Sequence, residues 1–200
     1  MSAPVKRRPR RREAGYTLVE VMMAIGILTA SGVAIIGMQE AVIHGNIEAR
    51  QLGTATSIAR STAELLRLDA LNWTATSVGS TTFNRTLYMR DVPTSATAVP
   101  SAWAPFGAAT GAVEHARDYY GRSTAVAADM VFCVQTRFAW IFPGTLLRAD
   151  VRVWWPRSGQ DVNHATYAGC PNLTPNAAGL INDLHFVQTS TELRYTPAVL

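Results

Sequence analysis

The chain has 200 residues, with 18 Lys and Arg against 14 Asp and Glu, a formal net charge of +4 and a pI of about 9.4. Six of the cations (Lys6, Arg7, Arg8, Arg10, Arg11 and Arg12) and one anion, Glu13, fall in residues 1–15, so residues 16–200 hold 12 cations and 13 anions and sum to −1. This distribution excludes a basic folded domain that grips duplex nucleic acid through a clustered cationic face, and with Lys6 as the only lysine it excludes a P-loop lysine, a Schiff base or a Ser-Lys dyad downstream.

Apolar residues make up 48% of the chain and charged residues 16%, on the membrane-associated side of a soluble average. After the arginine-rich run, Leu18 to Met38 is a stretch of 21 residues with one ionisable side chain, Glu20. As a helix it spans about 31 Å, the thickness of a bilayer core. The flanking cations would stay cytoplasmic and everything after Met38 would face outward. Charge and hydropathy alone fit a cleaved secretory signal, an uncleaved anchor, or something more specialised. Against the secretory signal stand the length of the apolar run, the lack of an A-x-A site after it, and Glu20 at its start. A carboxylate within a spanning helix costs about 2.5–3.5 kcal/mol on insertion scales, so it calls for a partner. No cation lies within one turn of Glu20. A cut just before Tyr16 would create an α-ammonium four residues away, on the same helical face.

Gly15-Tyr16-Thr17-Leu18-Val19-Glu20-Val21, preceded by the basic leader ending Arg11-Arg12-Glu13-Ala14-Gly15, resembles the type IV prepilin motif. Tyr16 stands where Phe is commoner, and Val19 where Ile is. The resemblance implies that a prepilin peptidase cuts between Gly15 and Tyr16 and methylates the new terminus. It also implies that Glu20 neutralises the terminal amine of an adjacent subunit in the filament core. The processed chain would then have 185 residues and a formal charge of −1.

The helical pattern continues beyond the apolar run. Leu52, Ala55, Ala59, Ala63, Leu66 and Ala70 step by three or four and form one face. Arg60 and Glu64 are placed for an i,i+4 ion pair. A separate amphipathic helix is one reading; direct continuation from the membrane run favours a single helix from Tyr16 to about Asn72. Gly26, Gly32, Gly37, Gly45 and Gly53 each cost such a helix about 1 kcal/mol against Ala in water, and in a membrane let neighbours approach closely. Residues 74–112, rich in Ala, Thr, Ser, Gly and Pro, read as loop around one strand-like island, Phe83 to Val92. Val131 to Ala139 is strand-like. Ala149, Val151, Val153 and Trp155 alternate with Arg148, Asp150, Arg152 and Trp154, a strand with one apolar face. Phe142-Pro143-Gly144-Thr145 is the turn that would join the two as an antiparallel hairpin. Leu184 to Val187 and Glu192 to Thr196 are weaker strand candidates.

This order resembles the α+β ladle of the pilin family: a long N-terminal helix, half membrane-spanning and half amphipathic, packed on a C-terminal antiparallel sheet. The expected organisation is a leader at 1–15, a transmembrane and filament-core helix at 16–38, its amphipathic continuation at 39–72, and a head at 73–200 with a variable loop at 74–112 and the sheet from about 130. Val151-Arg152-Val153-Trp154-Trp155-Pro156 and the helix end Ala63-Glu64-Leu65-Leu66-Arg67 look like their counterparts in PilV-type minor pilins.

Two cysteines, Cys133 and Cys170, form no CxxC; they are too few for a zinc site and enough for one disulfide. Facing an oxidising compartment they would pair, with free buried thiols as the alternative. His44, His115, His164 and His185 have no ligand spacing. Asp161 and Asn163 open a calcium-loop-like run that lacks its Gly and closing Glu. Asn72, Asn84 and Asn172 begin N-x-[ST] sequons, read as coincidence, and Asp118, Tyr119 and Arg122 read as a solvated turn. No catalytic motif occurs, so no enzymatic activity, metal or cofactor is expected. The resemblance implies a minor pilin-like subunit, anchored in a bacterial inner membrane with its N-terminus cytoplasmic and its head periplasmic, and in the pilus after assembly. Its implied partners are the prepilin peptidase, other pilins and minor pilins, the inner-membrane assembly platform and a tip adhesin, with no nucleic acid. A minor pseudopilin of a type II secretion system shares every N-terminal feature, and a periplasmic binding domain on an ordinary anchor is the alternative of another class.

Overall fold

The computed structural model describes residues 15–77, 80–83, 85–89, 92, 100–107, 114–157, 170 and 184–195. The leader cations, Asn84, Pro93, Asp161, Asn163, His164, Asn172 and Thr196 lie outside them. The chain divides into two compact units, 1–45 and 46–200.

Helix α1 runs Leu18–Ala70 without interruption, two residues inside the expected limits at each end. Within residues 18–45 its apolar side chains are exposed, and the helix is long and apolar enough to cross a membrane. In the second unit, the α1 face made by Ala55, Ile58, Ala59, Thr62, Ala63, Leu66 and Ala70 is buried. Leu52, expected on that stripe, is 50% exposed. The i,i+4 pair expected between Arg60 and Glu64 is replaced by an i,i+3 pair of Glu64 with Arg67, whose Nε also donates to Thr191 Oγ1 at 2.8 Å.

The sheet that covers this face is antiparallel. Strands β1 (Thr74–Ser77) and β2 (Ser80–Thr82) form a small hairpin of their own. The main sheet comprises β3 (Ala104–Pro105), β4 (Ala116–Arg117), β5 (Phe132–Phe142), β6 (Leu146–Pro156) and β7 (Leu184–Arg194). Its order is β3-β5-β6-β7, with β4 also pairing β5. The β5–β6 hairpin turns where the Pro-Gly pair sits, with Thr145 N–H donating to the Phe142 carbonyl at 3.1 Å and Gly144 at φ +75°, a conformation glycine adopts without a steric penalty. The two weak candidates near the C-terminus are parts of one strand, β7, in unbroken register with β6 from Leu184↔Pro156 to Arg194↔Leu146. The Phe83–Val92 island is not a strand in its described residues: Phe83 and Thr86 close a turn instead, and the strands near it are β1 and β2, in a segment read as loop. Thr74, Thr81 and Thr82 are β-branched, which suits an extended backbone better than the segment's overall composition suggests.

Phe132, Val134, Phe138 and Trp140 of β5 join Leu147, Ala149, Val151, Val153 and Trp155 of β6 and the α1 stripe in one core. Trp73, just past the helix, anchors its end, with ring centroids 5.2 Å from Phe83, 5.6 Å from Trp140 and 5.8 Å from Tyr195. The strand reads as having one apolar face, but its opposite face is buried too: Asp150, Arg152 and Trp154 are each at most 3% exposed. Cys133 and Cys170 are disulfide-bonded, with Cα atoms 5.5 Å apart, among Ala116, Met130, Trp154 and Leu184.

Candidate functional site

The Gly15-Tyr16-Thr17 segment precedes the helix and is not part of it. The Thr17 carbonyl accepts the Glu20 N–H at 3.0 Å and the Val21 N–H at 3.2 Å, and its hydroxyl accepts the Glu20 N–H at 3.3 Å. Thr17 is therefore the N-cap and Glu20 the third helical residue, the T-x-x-E spacing of a capping box. That spacing was legible in the sequence beside the prepilin motif. It gives Glu20 a second source of stabilisation, because a carboxylate in the first turn faces the positive end of the helix dipole. Tyr16, ahead of the helix, and Glu20, in its first turn, line a shallow groove with Val21, Ala24, Ile25 and Leu28. Tyr16 is 82% exposed.

Gly15 has open space where a Cβ would stand, and so do the helical glycines Gly26, Gly32, Gly37, Gly45 and Gly53. Among the described residues nothing demands glycine at these places. Gly26, Ala30, Ala34, Gly37, Ala41 and Gly45 follow one another at intervals of four, four, three, four and four residues. They form a continuous small-residue face, along which another helix could approach closely.

In the head, two polar arrangements escaped the sequence because their partners are distant in the chain. Buried Asp69, in the last turn of α1, accepts the backbone N–H groups of Leu87 and Tyr88, each at 2.7 Å. It ties the segment after β2 to the helix end. Tyr88 in turn donates its hydroxyl to Glu114 at 3.0 Å; burial and that carboxylate push the phenol's pKa up. The second arrangement covers the far face of β5 and β6. Gln135 Oε1 accepts from Arg152 Nη2 at 2.7 Å and from Trp154 Nε1 at 3.1 Å. The Arg152 guanidinium lies 4.1 Å from the Trp103 ring centroid and 4.3 Å from that of Trp154. Burial, with the Arg137 charge beside it, pulls Arg152 down to about 10. Asp150 accepts from Arg137 at 2.9 Å and from Ser190 at 2.7 Å, and pairs with Arg148 at 3.2 Å. Gln135 Oε1 and the Asp150 carboxylate are satisfied within the layer, as buried acceptors must be.

The remaining candidates are dispersed. His44 sits 3.9 Å from Glu40 one turn earlier on α1, and His185 lies against Trp155 at 5.5 Å between rings. His115 is held below its ordinary pKa by burial. Asp118 accepts the N–H groups of Tyr120 and Arg122 at 2.9 and 2.8 Å and the Arg122 Nε at 3.2 Å, which makes it the hinge of a turn. Asn72 is exposed in the turn after α1. Among the described residues no three His, Cys, Asp or Glu side chains come together as a metal site.

Residues 10–36 match the family model of the prokaryotic N-terminal methylation motif. The matched span covers the end of the leader, Gly15, Tyr16, Glu20 and most of the apolar run. It supports a type IV pilin- or pseudopilin-like precursor, anchored by its N-terminal apolar helix, processed by a prepilin peptidase and assembled with other pilins. No curated protein and no solved structure matches the chain. The α+β architecture, a long N-terminal helix whose Ala55–Ala70 stretch packs on an antiparallel sheet, agrees with that of type IV pilins.

Proposed function

We propose that this chain is a minor pilin of the PilV kind, a structural subunit that joins or primes a type IV pilus. The observation that carries the proposal is the junction at residues 15–20: exposed Gly15 and Tyr16, a helix that begins at Leu18, and a carboxylate, Glu20, that lines one groove with Tyr16. In this reading residues 1–15 are removed, 16–38 form the membrane and filament-core helix, 39–72 continue it, and 73–200 form the head. Cleavage leaves an ammonium on Tyr16, and Glu20 of this or a neighbouring subunit is its counter-charge. In the low dielectric of a helix bundle two unit charges attract far more strongly than in water. The PilV-like strand supports the narrower assignment: Val151, Val153 and Trp155 face the helix while Arg152 and Trp154 build the second layer. Its partners would be the peptidase, other minor pilins, the assembly platform and a tip adhesin. Cys133–Cys170 would close after export and tie Cys170 to β5.

N-terminal sequencing of the protein from cells with and without the peptidase tests the proposal. The expected mature terminus is Tyr16, present only with the enzyme. A terminus that remains Met1 in its presence, or one beyond Met38, rules the proposal out. Co-purification of the mature form with sheared pili, lost in a strain lacking the pilus assembly platform, would separate the pilus from a secretion system.

A further inference from the structure

We infer that Thr17 is a positioning residue for leader removal: by capping α1 it keeps the Gly15–Tyr16 peptide out of the helix and open to the peptidase. The inference rests on the reading of this junction as a cleavage site and adds a determinant to it.

Hydrolysis adds one water across the Gly15–Tyr16 amide, leaving a carboxylate on Gly15 and an ammonium on Tyr16. The enzyme must reach the Gly15 carbonyl carbon and hand a proton to the Tyr16 nitrogen. A carbonyl already accepting an i+4 N–H inside a helix is held in place and turned along the helix axis. In the structure the first engaged carbonyl is that of Thr17, which accepts from Val21 at 3.2 Å. The Gly15 and Tyr16 carbonyls lie before it.

What stops the helix there is local. The first-turn N–H groups of any helix lack intrahelical partners, and a capping side chain satisfies one of them. Thr17 Oγ1 supplies an acceptor to Glu20 N–H at 3.3 Å. Without that hydroxyl the helix gains by moving its start to the next residue that caps well. Tyr16 and Ala14 cap poorly, whereas glycine ranks close to threonine. The available new cap is therefore Gly15. A helix starting from Gly15 would take Tyr16 as its first residue and would bind the Gly15 carbonyl, the scissile one, to the Val19 N–H. The scissile bond would be buried in the first helical turn by a shift of only two residues.

Three variants in the full chain, in membranes with the peptidase, separate this from the enzyme simply recognising the threonine's shape. Thr17→Ser and Thr17→Asn keep a capping acceptor but change the shape; Thr17→Val keeps the shape but not the acceptor. Capping predicts cleavage of the Ser and Asn variants at close to the rate of the unaltered chain, with Thr17→Val slower by at most about fivefold, the limit set by the ~1 kcal/mol of a typical N-cap at 1.4 kcal/mol per tenfold. Backbone chemical shifts of the uncleaved chain in micelles should place the helix start at Tyr16 in Thr17→Val and at Leu18 in Thr17→Asn, a shift that shape recognition would not produce. A fast Val variant with a slow Asn variant would overturn the inference, and so would equal rates for all three. If the unaltered chain is not cut at Gly15–Tyr16 at all, it is the prepilin reading that fails.

Discussion

Replacing Asp69 with alanine strands two backbone N–H groups at once. Both carboxylate oxygens accept at 2.7 Å, one from Leu87 and one from Tyr88, and the residue is 7% exposed, so water cannot readily take over. Hydrogen bonds to a charged acceptor contribute about 1.5–3 kcal/mol each. The two share one carboxylate and are not independent, so the lower end applies to both, about 3 kcal/mol for the pair. Against a total stability of about 5–15 kcal/mol for a domain this size, that is a large fraction. Asp69→Asn retains one oxygen and turns an NH₂ donor toward the other N–H, so it should lose more than half of the effect of Asp69→Ala. Urea denaturation of the detergent-solubilised chain, followed by tryptophan fluorescence, reads the change directly because Trp73 lies at the same helix end. Hydrogen exchange gives the local signature: Leu87 and Tyr88 amides should lose protection by far more than the Leu147 or Val151 amides of β6. A loss below 1 kcal/mol in Asp69→Ala, with both loop amides still protected, would refute the clamp.

Cys133→Ser or Cys170→Ser should destabilise the head by about 4 kcal/mol, the chain-entropy value for the 37-residue separation; alkylation before and after reduction should label no thiols and then two in the unaltered protein, and two labelled without reductant would contradict the bond. Glu20→Ala should be cut normally yet enter filaments poorly, as measured by the ratio of mature protein in sheared pili to that in membranes; an unchanged ratio removes the counter-charge role. His115 is held below its ordinary value of 6.5 by burial, so the stability it contributes is complete above pH 6.5 and is lost as the pH falls through the lower, folded value. Urea midpoints at pH 7 and pH 5 should therefore differ less in His115→Gln than in the unaltered protein, and an identical difference in both would show that other groups carry the acid sensitivity. Arg152→Lys should cost about 1–2 kcal/mol in the same urea assay, because an ammonium cannot stack between Trp103 and Trp154 while reaching Gln135; no loss would mean the stacking contributes nothing.

Where periodicity alone fixes structure, the chain is legible. The α1 stripe from Ala55 to Ala70 can be read because burial against a sheet needs one residue every three or four. Leu52 keeps the period yet is exposed, since spacing says which face a residue occupies and not how far the sheet extends along the helix. The β5–β6 hairpin is equally readable, with alternation on both sides of a Pro-Gly turn. β7 is not: Gln188-Thr189-Ser190-Thr191 has no apolar alternation, and what holds it straight is its ladder with β6. The Asp69 clamp and the Trp103–Arg152 stack join residues 18 to 49 positions apart and leave no local trace.

The start of the helix is the part the sequence determined by itself. Thr17 and Glu20, three residues apart ahead of 18 further apolar-rich residues, act on each other within one helical turn, so the cap follows from spacing. The tertiary structure decided the second face of the sheet. Asp150 and Arg152 alternate with the apolar residues of β6, and they are buried because residues remote in sequence supply the rings and acceptors that make burying two charges tolerable. Whether a polar residue faces water or a partner depends on what the rest of the chain brings opposite it, and that no local pattern encodes.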